Sequence, residues 1–116
     1  MTALQRRRWE RYRKELDVTI TGPGGETLRG RSEDICEGGL GLLCQDTLSV
    51  GTDYAFSIAE IAAAPLVGTV RWCTPSPAHG ANVVGVELTG LTSTQVHALA
   101  ECIGRWKAED AGREDA

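Results

Sequence analysis

The stretch LVGTVRWCTPSPAHGANVVGVELTG, residues 66–90, decides the fold because it holds two apolar runs with only a short loop between them. LVGTVRWC (residues 66–73) and NVVGVELTG (residues 82–90) are both predicted to be strands. TPSPAHGA (residues 74–81) separates them and contains two prolines and a glycine, which are typical of a loop. No helix is predicted between the two strands.

The preceding part of the chain shows the same pattern of short strands and turns. Four further strands are predicted at LDVTI (residues 16–20), TLRGRSEDI (27–35), LGLLC (40–44) and YAFSI (54–58). TGPGGE, CEGG and VGTD supply the turns between them. EIAAAP is interpreted as a strand end or loop because Pro65 would stop a helix there. Short strands at close intervals, without helices between them, predict a small antiparallel barrel.

The spacing of apolar residues becomes helical near the end of the chain. Residues that recur at three- and four-residue intervals are Val96, Leu99, Ala100, Ile103 and Trp106. Thr92 and Gln95 have the spacing of a capping box, and Leu91 precedes them at the position of a hydrophobic staple with Val96. One amphipathic helix is therefore predicted at about residues 93–107.

Length and composition are those of one small domain. The chain has 116 residues and 41% hydrophobic content, which is enough for a core of normal size. We divide it into a flexible basic arm (residues 1–14), a barrel with its helix (residues 15–107) and a disordered acidic tail (residues 108–116). No run is apolar over the roughly 18 residues of a membrane span, and no secretory signal is recognised. We expect a soluble cytoplasmic protein without membrane insertion.

Half of the positive charge lies near the N-terminus. RRRWERYRK (residues 6–14) holds six of the twelve Lys and Arg residues, whereas the remainder is acidic and the net charge is −4. Nucleic-acid binding depends on many Lys and Arg contacts to phosphate, which an acidic body would oppose. A short basic arm is better suited to a small anion. We therefore expect no nucleic-acid partner.

The cysteines and histidines lack the spacing of a metal or catalytic site. They are Cys36, Cys44, Cys73, Cys102, His79 and His97, with no C-x-x-C pair among them. Scattered cysteines in a cytoplasmic chain are typically reduced core residues. Catalysis would need a nucleophile with a base, or a convergent acid–base pair, and no such spacing occurs. We predict no enzyme, no metal and no cofactor.

Two stretches are candidates for a binding site, and each has a simpler interpretation. The basic run at residues 6–14 is either a solvated tail or a ligand-binding arm. Gly38 and Gly39, within EDICEGGLGLL (residues 33–43), either form a turn or bulge or let a ligand approach the backbone. Asp34 in the same stretch offers acceptors for the N1–H and N2–H₂ edge of guanine. A binding role requires the two stretches to face each other.

Together, the two stretches resemble the paired motifs of the PilZ domain. Arg7-x-x-x-Arg11 followed by Asp34-x-Cys36-x-x-Gly39 is similar to the family pattern R-x-x-x-R and then [D/N]-x-S-x-x-G. VGTVRW and VGVELTGL resemble the family's G-x-V-x-W strand and its closing strand. The resemblance covers about residues 6–106. It implies an all-β, six-stranded antiparallel PilZ-type barrel with one C-terminal helix, which binds the bacterial second messenger cyclic di-GMP.

The resemblance also implies roles for individual residues. Arg7 and Arg11 would contact phosphates and the O6/N7 edge of guanine, because guanidinium makes bidentate hydrogen bonds and stacks on bases. Asp34 and Gly39 would line the barrel face beneath a guanine. Arg6 occupies the position where the family often has arginine when it binds an intercalated ligand dimer.

Cys36 departs from the family pattern, which has serine at this position. A thiol donates and accepts hydrogen bonds less well than a hydroxyl. Losing one such bond costs about 1 kcal/mol, or about fivefold in affinity, which would weaken binding without abolishing it. The family also contains members that lack working motifs and act as adaptors, and the substitution raises that alternative.

Two functions follow from this resemblance. The first is a cyclic di-GMP receptor that orders its arginine arm over the barrel on binding and signals to a downstream protein partner. The second is a PilZ-like adaptor that binds no nucleotide and acts by constitutive protein–protein interaction in motility or envelope regulation. Apolar surface left on the helix would support a homodimer, although packing of the helix on the barrel explains the same pattern.

Overall fold

The computed structural model describes residues 11–115 of the chain. Within this range the strands are β1 (Tyr12–Arg13), β2 (Asp17–Thr21), β3 (Thr27–Cys36), β4 (Gly39–Cys44), β5 (Asp53–Ser57), β6 (Leu66–Ser76) and β7 (Ala81–Glu87). The helix is α1 (Ser93–Asp115). No helix in this range combines the length and the apolar character needed to cross a membrane.

Six of the strands close into an antiparallel barrel. β2 pairs with β3 and β5, and the sheet continues through β6 and β7 to β4. β4 pairs back with β3, which closes the barrel. The short β1 adds to the far end of β3. The predicted fold class, an all-β six-stranded antiparallel barrel with one C-terminal helix, is confirmed.

Alternation along the strands fills the interior of the barrel. Val18 and Ile20 of β2, together with Phe56 of β5, are at most 2% exposed. Leu42 of β4 and Val84 of β7 face them and are fully buried. Each such side chain stabilises the fold by about 1.5–3 kcal/mol through burial of apolar surface. The outward positions of the same strands are left free for other roles.

A β-bulge in β3 turns Asp34 to the outside of the barrel. Glu33 is the extra residue, because the pairing of β3 with β4 shifts between Ser32 and Asp34. In a regular strand, residues two positions apart share a face. Ser32 is buried, with its hydroxyl bonded to the backbone of residues 14 and 16, whereas Asp34 is partly exposed. The bulge therefore permits a carboxylate on the outer face.

A second bulge, in β6, does the same for Trp72. The pairing of β6 with β7 shifts between Val70 and Trp72, so that Arg71 is the extra residue. Val70 is fully buried, but Trp72 is 39% exposed. An indole that regular alternation would place in the core therefore lies on the surface.

The β6–β7 connection is tighter than the predicted loop at residues 74–81. β6 continues to Ser76, and Pro75 pairs with Asn82. The chain reverses at residues 77–80, where Gly80 has a φ of 63°. Glycine adopts this left-handed conformation without steric cost, which allows the short turn.

Helix α1 begins with the predicted capping box. The Thr92 amide donates to Gln95 Oε1, and the Gln95 amide donates to Thr92 Oγ1, both at 3.1 Å. The side-chain amide of Gln95 also donates to the backbone carbonyl of Pro65 at 2.9 Å. Gln95 therefore caps the helix and ties its first turn to the barrel.

The helix packs on the barrel through part of its predicted apolar face. Leu99, Ile103 and Trp106 are at most 6% exposed and belong to the core. Val96, which the apolar spacing placed on the same face, is 44% exposed. Gln95, at 8% exposure, takes the buried position of the first turn instead.

Helix α1 continues to Asp115, so residues 108–115 are helical rather than the disordered tail that we predicted beyond residue 107. The Tyr12 hydroxyl hydrogen-bonds to the Asp110 carboxylate and lies 3.1 Å from the Trp106 carbonyl oxygen. These contacts join the last turns of the helix to β1. Because they connect opposite ends of the chain, local composition does not predict them.

Candidate ligand-binding site

A row of paired residues crosses the outer face of the barrel at the two bulges. Arg13 of β1 pairs with Asp34 of β3, and Asp34 pairs with Gly41 of β4. Gly41 pairs with Gly85 of β7, which in turn pairs with Trp72 of β6. Two adjacent glycines thus separate a carboxylate from an indole. The Asp34 carboxylate lies over Gly41, and the Trp72 ring lies over Gly85.

Three residues of this row, Asp34, Gly41 and Trp72, form the floor of a cavity of about 150 Å³. Its polar and aromatic lining comprises Arg11, Glu33, Asp34, Cys36 and Trp72, and the remaining lining is glycine and aliphatic. A cationic group, an anionic group and an aromatic face are therefore combined on an apolar floor. Such a combination suits a flat ligand that carries both hydrogen-bond donors and negative charge.

Arg11 and Asp34 form an ion pair across the mouth of this cavity. The Arg11 Nη1 and Asp34 Oδ2 atoms are 3.5 Å apart, and the side chains are 63% and 26% exposed. An ion pair that is this exposed contributes little to stability, because water and salt screen it. The guanidinium can therefore leave the carboxylate for a ligand at small cost.

Gly39 is the first residue of β4, pairs with Glu87 of β7 and lines the cavity. A Cβ atom at this position would be 3.0 Å from the Val86 carbonyl oxygen and 3.7 Å from Cys36 Sγ. Within the described residues, positive φ values occur at Gly25, Gly51 and Gly80, so Gly39 is not required for a left-handed turn. Its role is close backbone packing, which also leaves space beside the partly buried Cys36 thiol.

The structure brings together the predicted site residues that it describes. Arg11, Asp34, Cys36 and Gly39 all line the one cavity. Arg6 and Arg7 lie outside the described residues, so their ligand contacts stay a prediction.

Trp72 is the aromatic residue of the cavity, and sequence reasoning did not name it as part of the site. A tryptophan among valines in a predicted strand is ambiguous between core and surface. The bulge at Arg71 resolves this ambiguity by turning the indole outward. The match of VGTVRW to the family's G-x-V-x-W strand was the available signal, but this pattern does not specify which face of the strand the tryptophan occupies.

Comparison with known families identifies the domain. The sequence model of the PilZ domain matches residues 5–105, which is most of the chain. The chain belongs to the PilZ domain family. Comparison with curated protein sequences gives no match.

Solved structures share the fold of this PilZ domain. It is similar to the Bacillus subtilis inhibitor of motility MotI/DgrA, with 25% identity, a TM-score of 0.70, and coverage of 90% of this chain and 53% of that one. The PilZ domain of Escherichia coli YcgR with c-di-GMP has 17% identity and a TM-score of 0.74, with 96% and 98% coverage. The K. pneumonia MrkH–c-di-GMP complex has 16% identity and a TM-score of 0.79, with 94% and 56% coverage.

The PilZ domain spans about half the length of two of these relatives, MotI/DgrA and MrkH. It spans almost all of the isolated PilZ domain of YcgR. The shared part is therefore the barrel with its helix.

A second cavity lies beside the first on the PilZ barrel. It has a volume of about 290 Å³, and its charged lining includes Arg13, Lys14, Arg31 and Glu33. His79, from the β6–β7 turn, also lines it, with Nε2 3.5 Å from Glu33 Oε2. Glu33 lines both cavities, so the bulge of β3 is the wall between them.

The environments of the cysteines in the PilZ domain differ. All four are free thiols; Cys36 and Cys73 are partly buried, while Cys44 and Cys102 are buried. Burial raises the pKa of the Cys44 thiol above its ordinary value. Within residues 11–115, no group of three or more potential metal-binding side chains occurs.

Proposed function

We propose that this PilZ domain is a receptor for cyclic di-GMP and that the ligand binds in the cavity between Arg11 and Trp72. The observation that carries this proposal is the convergence of a guanidinium, a carboxylate and an exposed indole on one cavity. Structures of YcgR and MrkH, which share its fold, contain c-di-GMP. These likenesses support the choice of ligand.

Each group of the cavity suits one part of this ligand. Arg11 would bind a phosphate or the O6/N7 edge of guanine, since guanidinium forms bidentate hydrogen bonds with both. Asp34 would accept hydrogen bonds from the N1–H and N2–H₂ groups of guanine. Trp72 offers a face on which a base can stack, an interaction worth about 1–3 kcal/mol per base.

The arm would complete the site from the N-terminal side. Arg7, and Arg6 before it, would reach the phosphates when the arm closes over the barrel. Arg11 is the first described residue of the arm, and its guanidinium contacts the Asp34 carboxylate. Tyr12, the next residue, stacks on Trp106 of the helix. This end of the arm is therefore attached both to β3 and to the helix. The change of surface would be recognised by a protein partner.

Cys36 favours the second candidate function, a constitutive adaptor in motility or envelope regulation. The thiol replaces the serine hydroxyl of the family motif and lines the cavity. If loss of that hydroxyl abolished ligand binding, the same barrel would act through protein contacts alone. The expected cost of one weakened hydrogen bond is about 1 kcal/mol, so we favour the receptor.

Calorimetric titration tests this proposal. Cyclic di-GMP is titrated into the purified full chain. Cyclic di-AMP is the control for recognition of the base, and GTP is the control for binding of any charged guanine nucleotide. We expect saturable binding of cyclic di-GMP that is at least about tenfold tighter than that of either control, a difference of about 1.4 kcal/mol. Equal binding of all three would show general anion binding. No heat with wild type would contradict the receptor. Cys36→Ser then separates a site damaged at this one contact, in which binding returns, from a true adaptor, in which it does not.

A further inference from the structure

We infer that Gly41 and Gly85 are positioning residues that let Asp34 and Trp72 lie flat on the barrel, and that the position of Asp34 set by Gly41 gives the site its guanine preference. This inference rests on the proposed function. Gly41 and Gly85 lie outside both motifs. Because they have no Cβ atoms, they leave the space in which the side chains of the site lie.

Gly41 leaves room for the Asp34 carboxylate. A Cβ atom at residue 41 would be 2.6 Å from Asp34 Oδ1 and 3.3 Å from Asp34 Cγ. The distance to Oδ1 is shorter than a Cβ atom tolerates and the distance to Cγ is tight, so alanine at this position would displace the carboxylate. The displaced group is the end of a flexible, partly exposed side chain, which can turn outward without disturbing the barrel.

Gly85 leaves room for the Trp72 indole in the same way. A Cβ atom at residue 85 would be 2.0 Å from Cε2 and 2.1 Å from Cζ2 of Trp72. The ring therefore lies against the backbone of β7, and a methyl group at residue 85 would lift it off. Trp72 is 39% exposed, so the ring has solvent into which it can move.

The backbone gives no other reason for glycine at these two positions. Both residues lie inside strands, and their φ values are not in the left-handed region. Glycine inside a strand costs conformational entropy relative to alanine and often marks a close approach of another group. Since alanine would suit the backbone better, the side chains of the two neighbouring strands explain the glycines.

The placement of Asp34 determines which base it recognises. A carboxylate that lies along the floor meets the edge of a base that stacks on the same floor. Guanine presents two donors on its Watson–Crick edge, N1–H and N2–H₂, which a carboxylate can accept together. Adenine presents an acceptor at N1, which a carboxylate would repel. An Asp34 turned away from the floor would lose this discrimination while the anionic ligand could still bind the arginines.

A double-mutant cycle with two ligands tests this inference. Affinities for cyclic di-GMP and cyclic di-AMP are measured for wild type, Gly41→Ala, Asp34→Ala and the double variant. We expect Gly41→Ala to weaken cyclic di-GMP binding about five- to tenfold and to leave cyclic di-AMP binding nearly unchanged. A coupling between residues 41 and 34 of this size is typical of residues in direct contact. In the Asp34→Ala background the same substitution should have no further effect. An equal loss in both backgrounds, or no loss in either, would overturn the inference.

A second measurement follows Trp72 without ligand. Its indole N–H resonance is assigned by its disappearance in Trp72→Phe. Gly85→Ala should shift this resonance, whereas Gly104→Ala, on the exposed side of α1 with open space around its Cβ position, should not. An unmoved resonance in Gly85→Ala would overturn the role of Gly85.

The two proposals fail in different ways. Wild-type protein that binds no cyclic di-GMP would contradict the proposed function and, with it, the base preference. Wild-type protein that binds cyclic di-GMP, with Gly41→Ala binding equally well and equally selectively, would contradict only the inference about the glycines. Thermal unfolding of each variant confirms that the barrel is intact before its affinity is compared.

Discussion

The ring of Tyr12 stacks on the indole of Trp106, with ring centroids 5.9 Å apart and planes inclined by 18°. Lys14 lies on the same indole, with Nζ 5.1 Å from the ring centroid. Arg11, the residue before Tyr12, reaches instead to Asp34 at the cavity. The end of the arm thus has two sides, one attached to the helix and the other directed at the candidate site.

Replacing Trp106 by alanine should destabilise the fold, because Trp106 is a core residue and does not line the cavity. Trp106 is 6% exposed and is the last large core residue of α1. We expect Trp106→Ala to lower the free energy of unfolding by about 3–5 kcal/mol, as for other buried aromatic residues. Urea unfolding followed by circular dichroism measures this.

Trp72→Ala is the matched control, because the same substitution is made at a partly exposed site. It should change the free energy of unfolding by less than about 1 kcal/mol, as surface substitutions usually do, while weakening ligand binding. Equal destabilisation by the two substitutions would show that Trp72 is a core residue rather than a ligand platform.

Removing the arginine at the cavity should affect binding and not folding. Arg11→Ala is expected to lower cyclic di-GMP affinity at least about tenfold, or about 1.4 kcal/mol, since a charged hydrogen-bond donor is lost. Arg29→Ala removes the same charge from an exposed position of β3 that does not line the cavity. Calorimetry of both variants separates the effect of the Arg11–ligand contact on affinity from the effect of lowering the net charge of the protein. If both lose affinity equally, the arginine acts only through long-range attraction.

The capping box should contribute a measurable part of the stability. Thr92→Ala removes the hydroxyl that accepts from the Gln95 amide, so we expect a loss of about 1 kcal/mol in the free energy of unfolding. Thr94→Ala, at an exposed position two residues further along the chain, keeps the cap and should be neutral or slightly stabilising. A larger loss at Thr94 than at Thr92 would contradict the assigned helix start.

Thiol labelling should distinguish the four cysteines and report on the cavity. Because burial raises the pKa of Cys44, its thiolate fraction is lower at any pH, and its alkylation should begin at higher pH than that of an ordinary thiol. Cys36 lines the cavity, so saturating cyclic di-GMP should slow its alkylation. Cys73, which is also partly buried but does not line the cavity, is the internal control. Mass spectrometry of each peptide gives the rates, and equal protection of Cys36 and Cys73 would place the ligand elsewhere.

Local patterns predicted the elements that local interactions determine. Alternating runs marked the barrel strands, and Thr92 with Gln95 marked the helix start, because each signal depends on neighbouring residues. The extension of the helix beyond residue 107 was missed because Asp110 contacts Tyr12, which lies near the other end of the chain.

The candidate site was predicted in part for the same reason. Arg11 and Asp34 came from motifs, and the structure places them 3.5 Å apart. Trp72 and Gly41 were not named, because their positions depend on two bulges and on the register of strands that are distant in sequence. The geometry of the floor is therefore a tertiary property.

The most direct test of the receptor function is a cyclic di-GMP titration followed residue by residue in ¹H–¹⁵N NMR spectra of the full chain. We predict saturable shifts at Arg11, Asp34, Cys36, Gly41 and the Trp72 indole, with the β2–β3 turn around Gly25 unchanged as the internal control. Shifts confined to the neighbouring cavity at His79, or unchanged spectra at ligand excess, would contradict the proposed site and function.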